Sequence, residues 1–151
     1  MGYVFHKLFE NEYIRLTGIV AIDGAYLDLA LGLAVAHVTG TSVDISNNDI
    51  FGDDTRKKVE VLQNAKGLAA EVYEALRLMK GILADRNYAI HGFASLNSNN
   101  NAVTHMRSRA PKGHKPGPHT NRDAAWFNNL IERMATVTAA LIDHVIPAQP
   151  T

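Results

Sequence analysis

Apolar residues recur at helical spacing through most of the chain. From about Leu8 to Thr39, the residues Phe9, Tyr13, Leu16, Val20, Leu27, Leu31, Ala34 and Val38 fall on one broad helical face. Ile22, Tyr26, Leu29 and Leu33 fall on a second. A helix apolar on two sides is either central in its bundle or packed on another subunit. Gly18, Gly24 and Gly32 lower its intrinsic propensity and permit close approach of neighbours, and Gly40 is the expected stop. Residues 41–54 are rich in Ser, Asn, Asp and Gly and read as a loop, with Asp53, Asp54 or Thr55 placed to cap the next helix. The spacing predicts that helix from Arg56 to about Lys66, with Val59 and Leu62 inward and Gly67 breaking or bending it. A longer amphipathic helix is predicted from Leu68 to His91. Val72, Leu76, Met79, Leu83 and Ile90 face inward there, and Glu71, Glu74, Arg77 and Lys80 face water. Gly92 stands where a left-handed cap would end it.

The pattern then changes. Phe93 to Leu96 and Ala102 to Met106 flank an Asn-rich turn, the signature of a short hairpin, and a Pro/Gly-rich loop comes next. Thr120 and Asp123 have the spacing of a capping box. The last helix is expected from about Arg122 to Val145, with Trp126, Leu130, Met134, Val137, Leu141 and Val145 inward and Pro147 ending it. The fold class expected is all-α. It is a bundle of about four helices in one domain over residues 1–151, with a hairpin or loop insert before the last helix.

Composition narrows the chemistry. The chain has 151 residues, 46% of them apolar and 20% charged, a globular balance. It has no cysteine, so disulfides, thiol nucleophiles and Cys-ligated metals are excluded. The run Ile19 to Val38 is about as long as a membrane span. Asp23 and Asp28 near its middle favour a buried helix in a soluble bundle instead, and these two aspartates are expected either to bond across a bundle or dimer seam or to flank the motif cleft. The first residues lack the apolar core of a secretory signal, and His6 stands where a myristoylation signal needs Ser or Thr; the cytoplasm is the expected location, with no membrane partner.

Net charge is zero, with 15 basic and 15 acidic residues, yet the distribution is uneven. No acidic residue lies between Asp85 and Asp123, whereas Arg86, Arg107, Arg109, Lys112, Lys115 and Arg122 all lie there with His91, His105, His114 and His119. Such a segment is either a solvated loop or an attractor of phosphate. His114 and His119 flank a Pro/Gly turn, but a metal centre needs three or four converging ligands and the segment offers no carboxylate, so no metal is expected. His37 and His144 sit on largely apolar helices and are expected in the core or at an interface. Trp126 is expected as a core aromatic anchoring the last helix, with stacking of an RNA base on it as the alternative.

The strongest chemical phrase is LADRNYAIHGF, residues 83–93. Arg86, four intervening residues and His91 stand at a helix end, with Asn87 after the arginine and Gly92 after the histidine. Histidine titrates near neutrality and serves as acid or base. Arginine stays charged and offers a planar fork to phosphoryl oxygens. Asn87 is placed to orient either the phosphate or the histidine. Together these groups can cut RNA without a metal, because the ribose 2′-OH attacks its own phosphate and leaves a 2′,3′-cyclic phosphate and a 5′-OH. Five positions on an ideal helix turn by about 140° and rise about 7.5 Å. Convergence of Arg86 and His91 therefore needs a wrapped arginine, a distorted helix or a second protomer. The purely structural account stays open: Arg86 would then serve an ion pair or the carbonyls at the helix end, and His91 would answer the helix dipole.

With Arg86, Asn87 and His91 in this pattern on an all-helical chain, the sequence resembles the HEPN domains. These are small helical bundles marked by an arginine, four to six residues and a histidine, often with a polar residue after the arginine. The order of elements is similar over most of the chain, and these three positions carry the specificity. The resemblance implies a metal-independent endoribonuclease with no cofactor, working as a homodimer in which the motifs of two protomers meet. Arg86, Asn87 and His91 would be catalytic; His105, Arg107, Arg109, Lys112 and Lys115 are assigned to holding RNA. In the toxin branch of that family an antitoxin protein is a further partner. Some members carry a tyrosine two places after the histidine, where the antitoxin modifies it; Phe93 occupies that place here, which weighs against that subtype. The rival reading from another class is a non-catalytic module of the same fold that binds RNA, a nucleotide or another protein.

Overall fold

The computed structural model describes residues 11–41, 54–96, 103–107 and 120–147, with side chains described over 12–41, 54–90 and 122–147. The fold class is all-α. Among the described residues there are five helices: α1 (Asn11–Thr39), α2 (Thr55–Asn64), α3 (Ala70–Arg77), α4 (Met79–His91) and α5 (Ala124–His144). Three short strands stand between α4 and α5: β1 (Gly92–Leu96), β2 (Val103–Arg107) and β3 (Thr120–Asn121). They form one antiparallel sheet in the order β1-β2-β3.

The chain divides into two compact units. The first comprises residues 1–22 and 83–132, and so holds the first part of α1, most of α4, the sheet and the start of α5. Among the described residues, Leu16, Val20, Ala89, Phe127 and Leu130 are its buried apolar side chains. The second comprises residues 23–82 and 133–151 and holds α2, α3 and the remaining parts of the three long helices. Its core includes Leu27, Leu31, Ala34, Leu62, Val72, Leu76, Met79, Ile82, Met134, Val137 and Leu141. Thr55 donates a 2.7 Å hydrogen bond to Asp28 there, which ties α1 to the first residue of α2 and gives one of the α1 carboxylates its role.

The helix ends obey local chemistry. Gly40 at φ 68° ends α1, with the Thr41 N–H on the Ala36 carbonyl at 2.9 Å and the Gly40 N–H on the His37 carbonyl at 3.2 Å. That bond pair is the Schellman arrangement, and the left-handed residue at its centre favours glycine. Asp54 caps α2 by accepting the Arg56 N–H at 3.0 Å. Gly67 at φ 81° reverses the chain after α2. The Tyr73 hydroxyl reaches back to the Ala65 carbonyl and holds that reversal. Asp123 caps α5 by accepting the Trp126 N–H at 2.9 Å. Thr120 belongs to β3 and pairs with His105, so the cap begins three residues later than the capping-box spacing implies.

Several expectations are corrected. The segment from Leu68 to His91 is two helices, not one. The Leu78 N–H bonds to the Ala75 carbonyl, three residues back, and regular bonding resumes with Ile82 on Leu78. A three-residue turn rotates the chain by about 120° per residue against about 100° in an α-helix, so the inward row is reached sooner. Ile82 and Ala89 are buried in place of the expected Leu83 and Ile90, and Ile90 is exposed. Gly92 opens β1 directly instead of standing alone as a helix cap. Phe127 is the buried aromatic of α5, and Trp126 beside it is half-buried. His37 and His144 are exposed, each in the last turn of its helix, where a histidine meets the negative end of the dipole. Phe9 and the loop before Asp54 lie outside the described residues.

Candidate functional site

The Arg86 motif occupies the second half of α4, within the first unit. Met79, Ile82 and Ala89 mark the inward row of that helix, and Arg86 falls on the same row, four positions after Ile82 and three before Ala89. Its side chain is half-buried and is engaged with its surroundings, while Asn87 is exposed. Position 86 is also seven residues after Met79, two turns along the same face. His91 is the last residue of α4, one turn after Asn87.

The sheet brings part of the basic insert to the end of α4. In its register, Arg107 lies opposite Gly92, the residue after His91. Paired residues in antiparallel strands have Cα atoms about 4.5–5.5 Å apart. His105 lies opposite Ala94 on one side and Thr120 on the other. Of the residues assigned to substrate, the structure thus places the backbones of His105 and Arg107 in one sheet that starts where the motif ends. Arg109, Lys112 and Lys115 lie outside the described residues.

The same unit holds a second cluster, which the sequence pattern does not announce. The guanidinium of Arg122 lies 5.1 Å from the centre of the Tyr88 ring and 4.6 Å from that of Trp126. Both distances are within cation–π range. Tyr88 belongs to the motif itself, between Arg86 and His91. The stack continues through edge-to-face contacts, Trp126 to Phe127 at 5.0 Å and Phe127 to Tyr13 at 5.7 Å. Burial raises the Tyr13 phenol above its ordinary value, because the phenolate would lose its hydration there. The sequence holds one hint of this cluster: Arg122 and Trp126 are four apart, the spacing of neighbours on one helical face. Nothing in the sequence marks Tyr88 as the third member.

Elsewhere, an open groove of about 550 Å³ in the second unit is lined by Val38, Thr39, Lys57, Glu60, Val61, Asn64 and Ala65. It contains none of the motif residues. Among the described residues no three His, Asp or Glu side chains converge on a common point. Among them, too, α1 is the one helix long and apolar enough to cross a membrane, and 44% of its most apolar stretch is buried within the protein. Compared with known proteins, the chain matches no family model, no curated sequence and no solved structure.

Proposed function

We propose that the chain is a HEPN-like, metal-independent endoribonuclease that acts as a homodimer in the cytoplasm. The observation that carries this reading is the position of Arg86. It is half-buried on the inward row of a helix whose last residue is His91, with Arg107 paired opposite the next residue. A guanidinium in partly desolvated surroundings attracts phosphate more strongly than one in open water. In this reading His91 takes the proton from the ribose 2′-OH or delivers one to the leaving 5′-oxygen. Arg86 neutralises the crowded phosphorane, and Asn87 orients the phosphate or the imidazole.

The second protomer supplies what one helix does not. Arg86 and His91 are about 140° apart around α4 by helical geometry, and a two-fold axis at the motif doubles both groups, so one histidine accepts a proton while the other donates. An uncovered apolar row on α1 supports a second copy: Ile14, Ile22 and Tyr26 are 39%, 59% and 62% exposed. The Asp28–Thr55 bond supports α1 as a packed helix of a soluble protein.

The test compares wild type, Arg86→Ala and His91→Ala on labelled single-stranded RNA in EDTA. General acid–base catalysis contributes about 10²–10⁴-fold, so His91→Ala is expected to slow cleavage at least about 100-fold. Arg86→Ala is expected to do the same. Binding without cleavage by the wild type would make the protein a module instead of an enzyme.

A further inference from the structure

Arg122 closes a stretch of sequence without carboxylates and has a buried donor to satisfy. Its Nε is buried and has no hydrogen-bond partner among the described residues. The nearest carboxylate in sequence, Asp123, is occupied in capping α5 through the Trp126 N–H. No acidic residue precedes Arg122 back to Asp85. Two aromatic rings lie within cation–π distance of the guanidinium. The N–H donors of a guanidinium lie in its plane, and a hydrogen-bonding partner is met there. An in-plane fork of donors on a fixed guanidinium matches a phosphate, which it grips through two parallel hydrogen bonds.

The position fits a site for the substrate strand. Tyr88, one wall of the clamp, lies about 3 Å of helix rise after Arg86 and about 4.5 Å before His91. Arg122, Tyr88 and Trp126 are all half-buried, so the clamp is partly open to solvent. The stretch of chain that Arg122 closes carries only positive formal charge. We propose that Arg122, in contact with the rings of Tyr88 and Trp126, binds a backbone phosphate of single-stranded RNA next to the one that is cut. The identity of the polyanion rests on the ribonuclease reading; the existence of the phosphate site does not.

Trp126 is the only tryptophan in the chain and forms one wall of the clamp, so its fluorescence reports occupancy directly. The probe is a single-stranded oligonucleotide with 2′-O-methyl riboses, which lacks the attacking hydroxyl and reports binding alone. Wild type is expected to show a saturable change in Trp126 fluorescence. Arg122→Gln is expected to weaken binding about tenfold, equivalent to about 1.4 kcal/mol. It should also reduce the slope of log affinity against log salt by about 0.7, the value for one lost phosphate contact on a single strand. Arg122→Lys keeps the charge and loses the fork, so affinity should fall while the slope stays. A purely structural arginine would not separate the two variants in this way. The proposal is overturned if the wild type fails to bind the oligonucleotide, or if it binds with unchanged Trp126 fluorescence. It is also overturned if both variants bind like wild type, or if polyglutamate saturates the site and RNA does not. The wild-type titration needs no variant to fold. Arg122-dependent binding with no cleavage of the all-ribose strand would sink the ribonuclease reading alone. Cleavage and binding untouched by either substitution would sink this proposal alone.

Discussion

Single residues decide where this chain turns and what it can ionise. Gly40 and Gly67 take positive φ, where a side chain is strained, and both stand where the sequence suggests a break. Asp54 is legible as a candidate cap because it lies in a polar loop before an apolar-periodic run. Asp123 reads in sequence as the inner half of a capping box, yet it is the cap itself, since Thr120 has the right spacing but is taken up by pairing with His105. Spacing alone cannot reveal that a residue is already used by a sheet. Tyr13 gives a test at this scale. Its phenol is raised by burial, so the folded state resists ionisation longer than the unfolded chain does. Its contribution is fully present below the unfolded value near pH 10 and is lost as pH rises through the higher folded value. Urea midpoints at about pH 8 and about pH 11 should therefore fall further in wild type than in Tyr13→Phe. Equal falls would show that Tyr13 is not buried in solution.

Helices are legible in the sequence where one apolar row runs unbroken. In α5, Leu130, Met134, Val137 and Leu141 are each fully buried, as the spacing requires. In the run from Leu68 to His91 the same logic fails after Leu78, because a one-residue tightening has no signature such as Gly or Pro. Arg86 fits the expected row and the observed one alike, so the failure leaves its inward placement legible. On α1 the pattern has two apolar faces, and the structure shows which of them is covered. Leu16, Val20, Leu27 and Leu31 are buried, whereas on the second face Leu29 and Leu33 are half-buried and Ile22 and Tyr26 are exposed. The double variant Ile22→Lys/Tyr26→Lys tests what covers that second face. Both positions are exposed, so each change should move monomer stability by no more than about 0.5 kcal/mol. The solution mass by light scattering should fall from two chains to one. A wild type that already runs as one chain, or a variant that stays double, would contradict the dimer.

Taken whole, the chain is all-α, and the sequence pattern indicates that class because helical periodicity dominates it. The insert is legible as a hairpin within one residue at its inner edges, Leu96 and Val103. The candidate site is legible only in part. Arg86, Asn87 and His91 stand out by residue type, yet their relation to Arg107 depends on strand register, and the Arg122 clamp depends on Tyr88 and Trp126 meeting from separate elements. Neither relation is a local property of the chain. A zero net charge also conceals the long stretch without carboxylates in which the basic members of these groups lie. The central claim is that this constellation lets the ribose 2′-OH cut its own strand without a metal. The most direct measurement uses one RNA with a mapped cut site, and its twin with a single deoxyribose at that site, both in EDTA. The account predicts that the all-ribose strand is cut to a 2′,3′-cyclic phosphate and a 5′-OH and that its twin survives there. Equal cutting of both strands, or no cutting of either until a metal is added, would contradict it.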